Sequence, residues 1–172
     1  MAETLRIGVI SDTHGLMRRE AIEALRGSEL IVHAGDIGGP EILDALRDLA
    51  PVVAVRGNND RDPWARTLEE TEAVQAGAFR VHVLHDLHRL DFDPVAAGFR
   101  AVISGHSHRP LVEERGGVLY LNPGSAGPRR FSLPIAVARL QIRGSAFRAE
   151  IHELSIAEHH TGARRPDGRL RK

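Results

Sequence analysis

The run Leu5-Arg6-Ile7-Gly8-Val9-Ile10-Ser11-Asp12-Thr13-His14-Gly15 sets the reading of the whole chain. Residues 5–10 are apolar and β-rich, so they read as a strand, and Ser11 to Gly15 is a polar loop leading into a helical pattern over about 18–26. The pattern then repeats. A second strand at 30–33 ends in Ala34-Gly35-Asp36-Ile37-Gly38-Gly39-Pro40, ahead of an amphipathic helix over about 41–49. A third strand at 52–55 is followed by Gly57-Asn58-Asn59-Asp60. Alternating strands and helices imply parallel β-α-β units, whose ligand-binding crevice lies beyond the carboxyl ends of the strands. The polar runs fall at those ends.

After about residue 65 the pattern turns to strands with fewer helices. Strands are predicted at 68–74, 79–84, 101–103, 111–114 and 118–121, with a short helix at 93–97. Residues 135–142 and 146–154 read as a hairpin around Arg143-Gly144-Ser145 that closes a second sheet. Two sheets packed together, with helices outside, are expected. From 158 to 172 the apolar period is lost, which predicts a mobile tail behind a single domain at 1–157.

A chain of 172 residues is the size of one domain, and its 42% hydrophobic and 27% charged residues are ordinary for a globular fold. Lys plus Arg and Asp plus Glu both total 23, so no net field attracts nucleic acid or an anionic membrane, and stable binding to either is not expected. Cysteine is absent, which excludes disulfide scaffolds and thiolate metal sites and suits a reducing compartment. Met1-Ala2-Glu3-Thr4 runs straight into the first strand without a leader pattern, so a cytoplasmic protein is the expectation. Oligomeric state is left open, a homo-oligomer included.

Four polar clusters stand just after apolar strands: Asp12-Thr13-His14, Gly35-Asp36, Gly57-Asn58-Asn59-Asp60 and Gly105-His106-Ser107-His108. His85 ends the strand 79–84, on the face of Phe79, Val81 and Val83. These are hard or borderline ligands for divalent metals, and a spacing of two lets Asp12 with His14, and His106 with His108, turn to one side. Each cluster alone has a plainer reading. Asp-x-His and Gly-Asp are usually turns or caps, a histidine on an apolar face is usually core, and Asn58-Asn59 is usually a turn. Paired histidines flanking one residue at a strand end seldom serve packing, and chance does not readily place all five clusters at strand ends.

In this order the motifs resemble those of the calcineurin-like metallophosphoesterases. Asn122-Pro123-Gly124-Ser125 followed by Pro128-Arg129 is similar to the closing motif of their small bacterial and archaeal phosphodiesterase branch. The resemblance implies an α/β fold, a two-sheet β-sandwich flanked by helices in four α/β/β/α layers. It assigns Asp12, His14, Asp36 and His108 to one divalent metal, with Asp36 bridging to a second held by Asn58, His85 and His106. Asp36 and Asn58 would position metals and phosphate while a bridging hydroxide attacks a small phosphodiester. Mn²⁺ is the first choice, and Fe, Zn²⁺ and Ni²⁺ suit the same donors.

Two departures matter. Many relatives carry a proton-donating His where this chain has Asn59, and Asn cannot serve as that acid; the small phosphodiesterase branch shares the lack, so diesters are favoured over monoesters. Where the family commonly reads Gly-His after the strand-end His, this chain reads Asp86-Leu87-His88, which sets His88 out of register. Asn59, His88 and Arg129 are the candidates for substrate contact. Among rivals, a serine hydrolase at Ser107 lacks the second glycine of the nucleophile elbow, and a dinucleotide fold lacks the Gly-rich first loop. A non-catalytic metal-binding scaffold for protein assembly, similar to the retromer subunit with this fold, is the serious alternative, and loss of ligands would mark it. Here every ligand the family pattern calls for is present.

Overall fold

The computed structural model describes residues 4–156. In chain order it runs β1 (Thr4–Ile10), α1 (Arg19–Leu25), β2 (Leu30–His33), α2 (Pro40–Arg47), β3 (Val52–Ala54), β4 (Thr71–Ala76), β5 (Phe79–Leu84), β6 (Ala101–Ile103), β7 (Leu111–Arg115), β8 (Val118–Asn122), β9 (Ala136–Arg143) and β10 (Ala146–Glu153). The first sheet has the order β10-β9-β1-β2-β3 and the second β4-β5-β6-β8-β7. β1, β2 and β3 are parallel to one another, as are β5, β6 and β8. Their carboxyl ends carry every polar cluster singled out above.

Side-chain alternation explains the layering. On β1, Ile7 and Val9 enter the core between the sheets, where they meet Val81, Val83, Ile103, Leu119, Leu121 and Leu140. The opposite face of β1 presents Ile10 and Gly8; Ile10 packs with Ala21 and Leu25 of α1 and with Ile42, Leu43 and Leu46 of α2. A side chain at Gly8 would collide with Leu25, so the glycine lets α1 lie close on the sheet. Pro40 opens α2 at a position where its missing N–H costs nothing, and Arg47 sits in the last turn, where a cation complements the helix dipole. Ile103 is fully buried between the sheets, and trimming it to Ala would cost roughly 2–5 kcal/mol.

Three expectations are corrected. The hairpin of β9 and β10 closes the first sheet, with β9 antiparallel to β1. β9 is apolar on both faces, Ala138, Leu140 and Ile142 toward the inter-sheet core and Val137 toward the helices, and only the helix-covered sheet buries both. The helix expected at 93–97 is a single turn, with Ala97 N–H donating to Asp93 O, and it stops at Gly98 with φ 78°. The strand expected at 68–74 starts only at Thr71, behind a 3₁₀ turn at Pro63–Thr67. Over the second sheet the outer layer is therefore thin: Leu87, Leu90 and Tyr120 rest on Leu84, Val102 and Val118. The mobile tail expected at 158–172 lies outside the described residues. Among the described residues no helix is long and apolar enough to cross a membrane.

Candidate metal centre

The loops after β1, β2, β3, β5 and β6 converge because the backbone ties them together. Asp12 N–H donates to Gly35 O at 3.0 Å, His14 N–H to Asp36 O at 2.9 Å, and Gly105 N–H to His85 O at 2.9 Å. Asp60 accepts from the N–H groups of Ile37 and Gly38 and from that of Gly57, which locks the β2 loop to the β3 loop. A Cβ at Gly57 would collide with Asp36, so glycine is required for this approach. Gly35 lies at φ 95°, in the left-handed region open to glycine.

The less familiar feature is that the polar residues themselves take left-handed backbone: Asp12 (φ 54°), His14 (47°), Asp36 (53°), His106 (66°) and His108 (59°). Non-glycine residues pay roughly 1–3 kcal/mol each for this, and such strain persists where the surroundings over-determine it, most often at functional sites. The surroundings here are explicit. Ser125 Oγ donates to Asp12 O at 2.9 Å, and Asn122 Nδ2 donates to Gly105 O at 2.7 Å and to Ser107 Oγ at 3.2 Å. The motif at 122–125 is thus a clamp on the loops of Asp12 and of His106 and His108.

Asp12 is fully buried. Its Oδ2 accepts from Ser11 Oγ at 2.6 Å and from His106 N–H at 3.0 Å. Its Oδ1 has no hydrogen-bond partner and lies 3.1 Å from His108 Nε2 and 3.9 Å from His14 Nε2. The two imidazoles stand 3.4 Å apart, Nε2 to Nε2. Asp36 Oδ2 is 3.8 Å from His14 Nε2 and 3.4 Å from His85 Nε2. His85 Nδ1–H donates to Ala34 O at 2.7 Å, which turns Nε2 into the centre, 3.1 Å from Asn58 Oδ1. Asn58 Oδ1 is also 3.1 Å from His106 Nδ1.

Ionisation follows from these contacts. Burial works against the Asp36 carboxylate, yet hydrogen bonds from His85 and Asn59 outweigh it and hold Asp36 below the usual carboxylate range. Burial likewise works against charged His85, and Asp36 with Asp12 overcomes it and raises the imidazole. His14 is lowered, chiefly by burial and further by Arg130 and His108, with Asp36 and Asp12 opposing. Beneath the site, His33 is wholly buried and burial lowers it to about 3. Gly35 N–H donates to its Nδ1, and Thr13 Oγ1, whose own proton goes to Ile37 O, leaves Nε2–H of His33 as a donor. Neutral His33 is fully satisfied.

An unpartnered, buried carboxylate oxygen facing two imidazoles is what a metal ligand set offers and what a closed polar core avoids. Asp12, His14 and His108 offer donor atoms all within 4.8 Å of one another, and so do Asp12, Asp36 and His85. Asn58 and His106 adjoin the second group. The substrate candidates fare differently. Asn59 is at the centre, its Nδ2 donating to Asp36 Oδ2 at 2.6 Å and its N–H to Oδ1 at 2.9 Å. His88 is turned out, its side chain 93% exposed and bonded to Asp86. Arg129 is exposed on the loop after β8. Sequence reasoning missed Ser11 and Asn122 as supports; Ser11 carried no signal beyond standing next to Asp12, whereas Asn122 lay within a motif whose function the sequence did not state.

Residues 5–145 match the family model of the calcineurin-like phosphoesterase superfamily domain. The chain belongs to that superfamily. A probable metallophosphoesterase of Methanothermobacter thermautotrophicus is 39% identical over 157 residues, covering 84% of this chain and 90% of the relative. A phosphodiesterase of Methanocaldococcus jannaschii is 28% identical over 138 residues, covering 70% and 83%. Among solved structures, Vacuolar Protein Sorting 29 of Cryptosporidium parvum superimposes with a TM-score of 0.70 at 19% identity, covering 89% of this chain and 99% of that one. At that identity the last match speaks for the fold alone.

Proposed function

We propose that this metallophosphoesterase-family chain is a phosphodiesterase, residues 1–157 forming one cytoplasmic domain with two divalent ions, Mn²⁺ first and Fe, Zn²⁺ or Ni²⁺ as alternatives. Asp12, His14, Asp36 and His108 would hold one ion, and Asp36, Asn58, His85 and His106 the other. The observation that carries this is the buried Asp12 Oδ1, without a hydrogen-bond partner and aimed at the His14 and His108 nitrogens. Bound, such a pair supplies Lewis acidity that polarises a phosphoryl oxygen and lowers the pKa of water.

The chain's own part is positioning. His85 is oriented by Ala34 O, Asp12 by Ser11 and the His106 amide, and Asp36 by Asn59, so the donors need little rearrangement to act. Asn59 supplies hydrogen bonds and no transferable proton, which supports a preference for diesters over monoesters; a small phosphodiester is the substrate class. Arg130 is close enough to lower His14 and places positive charge beside the centre. The name of the M. jannaschii relative supports the same reading. The scaffold alternative rests on the likeness to Vacuolar Protein Sorting 29 and predicts metal binding without turnover.

The test compares bis-p-nitrophenyl phosphate with p-nitrophenyl phosphate at matched Mn²⁺, beside an Asp36→Asn control. Faster diester turnover that disappears in the control is expected. Faster monoester turnover rejects the diester preference, and metal binding without turnover of either ester favours the scaffold.

A further inference from the structure

Beside the centre lies a cleft of about 420 Å³, with Asn58, His85 and His106 among its lining residues. That volume lies within the range of roughly 300–1,000 Å³ typical of pockets for organic ligands, well beyond what a phosphoryl group needs. Its lining has two characters. Leu84, Leu90 and Phe92 supply its apolar part. Phe92 is 38% exposed, yet its ring is held edge-on by His82 at 5.0 Å and backed by Phe99 at 5.8 Å, so it forms a fixed flat surface. The rest includes charged groups: Asp86, Asp91 and a row in which Glu70 pairs with Arg56 at 3.2 Å and with Arg89 at 3.6 Å, and Arg56 also donates to Leu68 O.

We propose that this cleft is a subsite for a nucleobase, so that the centre's substrates are nucleoside phosphodiesters. The inference rests on the phosphodiesterase reading and adds the substrate class. A planar heterocycle uses both kinds of lining at once, its face on Phe92 and its polar edge toward Arg56 and Glu70. Base–aromatic stacking of this kind contributes roughly 1–3 kcal/mol. An acyl chain would cover the Arg56–Glu70–Arg89 row without hydrogen-bonding it, at a desolvation cost. A compact polyol headgroup would leave the Phe92 ring in water.

The test is calorimetric binding of adenosine 5′-monophosphate and of methyl phosphate to the Mn²⁺-loaded protein and to Phe92→Ala. The two ligands share a phosphate monoester and differ in the base and sugar. In the parent protein the nucleotide should bind at least about tenfold tighter, a difference that stacking of the stated size supplies, and in Phe92→Ala the two affinities should converge. Phe92→Leu, which keeps bulk against His82 and Phe99 without the aromatic face, should give the same loss and serves where the Ala variant does not fold. Equal affinities in the parent, or a preference that survives both substitutions, overturn the proposal. Turnover of bis-p-nitrophenyl phosphate by the same preparations separates the two readings: tight nucleotide binding without turnover keeps the subsite and removes the phosphodiesterase, while turnover without nucleotide preference does the reverse.

Discussion

The two halves of the centre are built to different standards. In the half of Asp12, His14 and His108, Asp12 is fully buried, His108 is 5% exposed and His14 is half-buried; Ser125 holds the Asp12 carbonyl and Asn122 the loop that carries His108. The half of Asn58, His85 and His106 is open at Asn58 and His106, with His85 buried beneath them. The His106 side chain is 43% exposed and shares the rim of the Phe92 cleft with Asn58 and His85. Geometry is fixed where the strands of both sheets end against each other, and access is provided where the thin outer layer of the second sheet leaves a gap. Asp36, reached by His14 from one side and His85 from the other, joins the halves.

The largest expected effect follows from that junction. Asp36→Asn removes the negative charge common to both halves, and kcat/KM for bis-p-nitrophenyl phosphate should fall by at least about 10³-fold, or roughly 4 kcal/mol. Bound Mn²⁺ should also fall below two equivalents. Retention of both ions would show that the halves are independent.

Asp60→Ala should separate the halves. It orphans the N–H groups of Ile37, Gly38 and Gly57, of which Ile37 is buried, Gly57 half-buried and Gly38 exposed, so urea denaturation should show a loss of roughly 1–3 kcal/mol, mostly from Ile37. The loosened Asn58 loop should weaken the open half first, leaving one tight metal equivalent; loss of both ions together contradicts the division.

Asn59→His exchanges the amide that donates to Asp36 for a group that can also give up a proton. An acid at this position should raise turnover of phenyl phosphate, whose leaving group needs a proton, by about 10- to 100-fold relative to bis-p-nitrophenyl phosphate. An unchanged ratio means that Asn59 does not set the ester preference.

The smallest effect concerns the floor under the half of Asp12, His14 and His108. Unfolded, His33 takes a proton below about pH 6.5; folded, it does so only near pH 3. Between those values the unfolded state holds the extra proton, so stability declines as pH falls, by about 1.4 kcal/mol per pH unit from this group. His33→Gln should remove that share of the slope in metal-free protein, measured by denaturation between pH 6 and pH 4. An unaltered slope would assign the pH dependence to other groups.

Much of this architecture was legible because apolar runs end where the candidate ligands begin. Leu5 to Ile10 stopping at Asp12, and Phe79 to Leu84 stopping at His85, register strand ends in sequence, and parallel strands bring their ends together. The partner of β9 was not legible, since apolar residues on both faces state that a strand is covered and not by which sheet. Nor was the left-handed backbone at Asp12 and His108, which arises from distant clamps at Ser125 and Asn122. His88 shows the converse: adjacency to His85 suggested a site residue, but the 3₁₀ turn at Leu87–Arg89 carries it into solvent. Arg56, Glu70 and Phe92 gave no pattern at all, because they meet only after the second sheet folds.

The most direct test of the proposed two-ion phosphodiesterase centre is a titration of chelator-treated protein with Mn²⁺, following bis-p-nitrophenyl phosphate hydrolysis. Activity should rise from background and level off at two equivalents per chain. Hydrolysis that is independent of metal, or that saturates at one equivalent, would contradict the account.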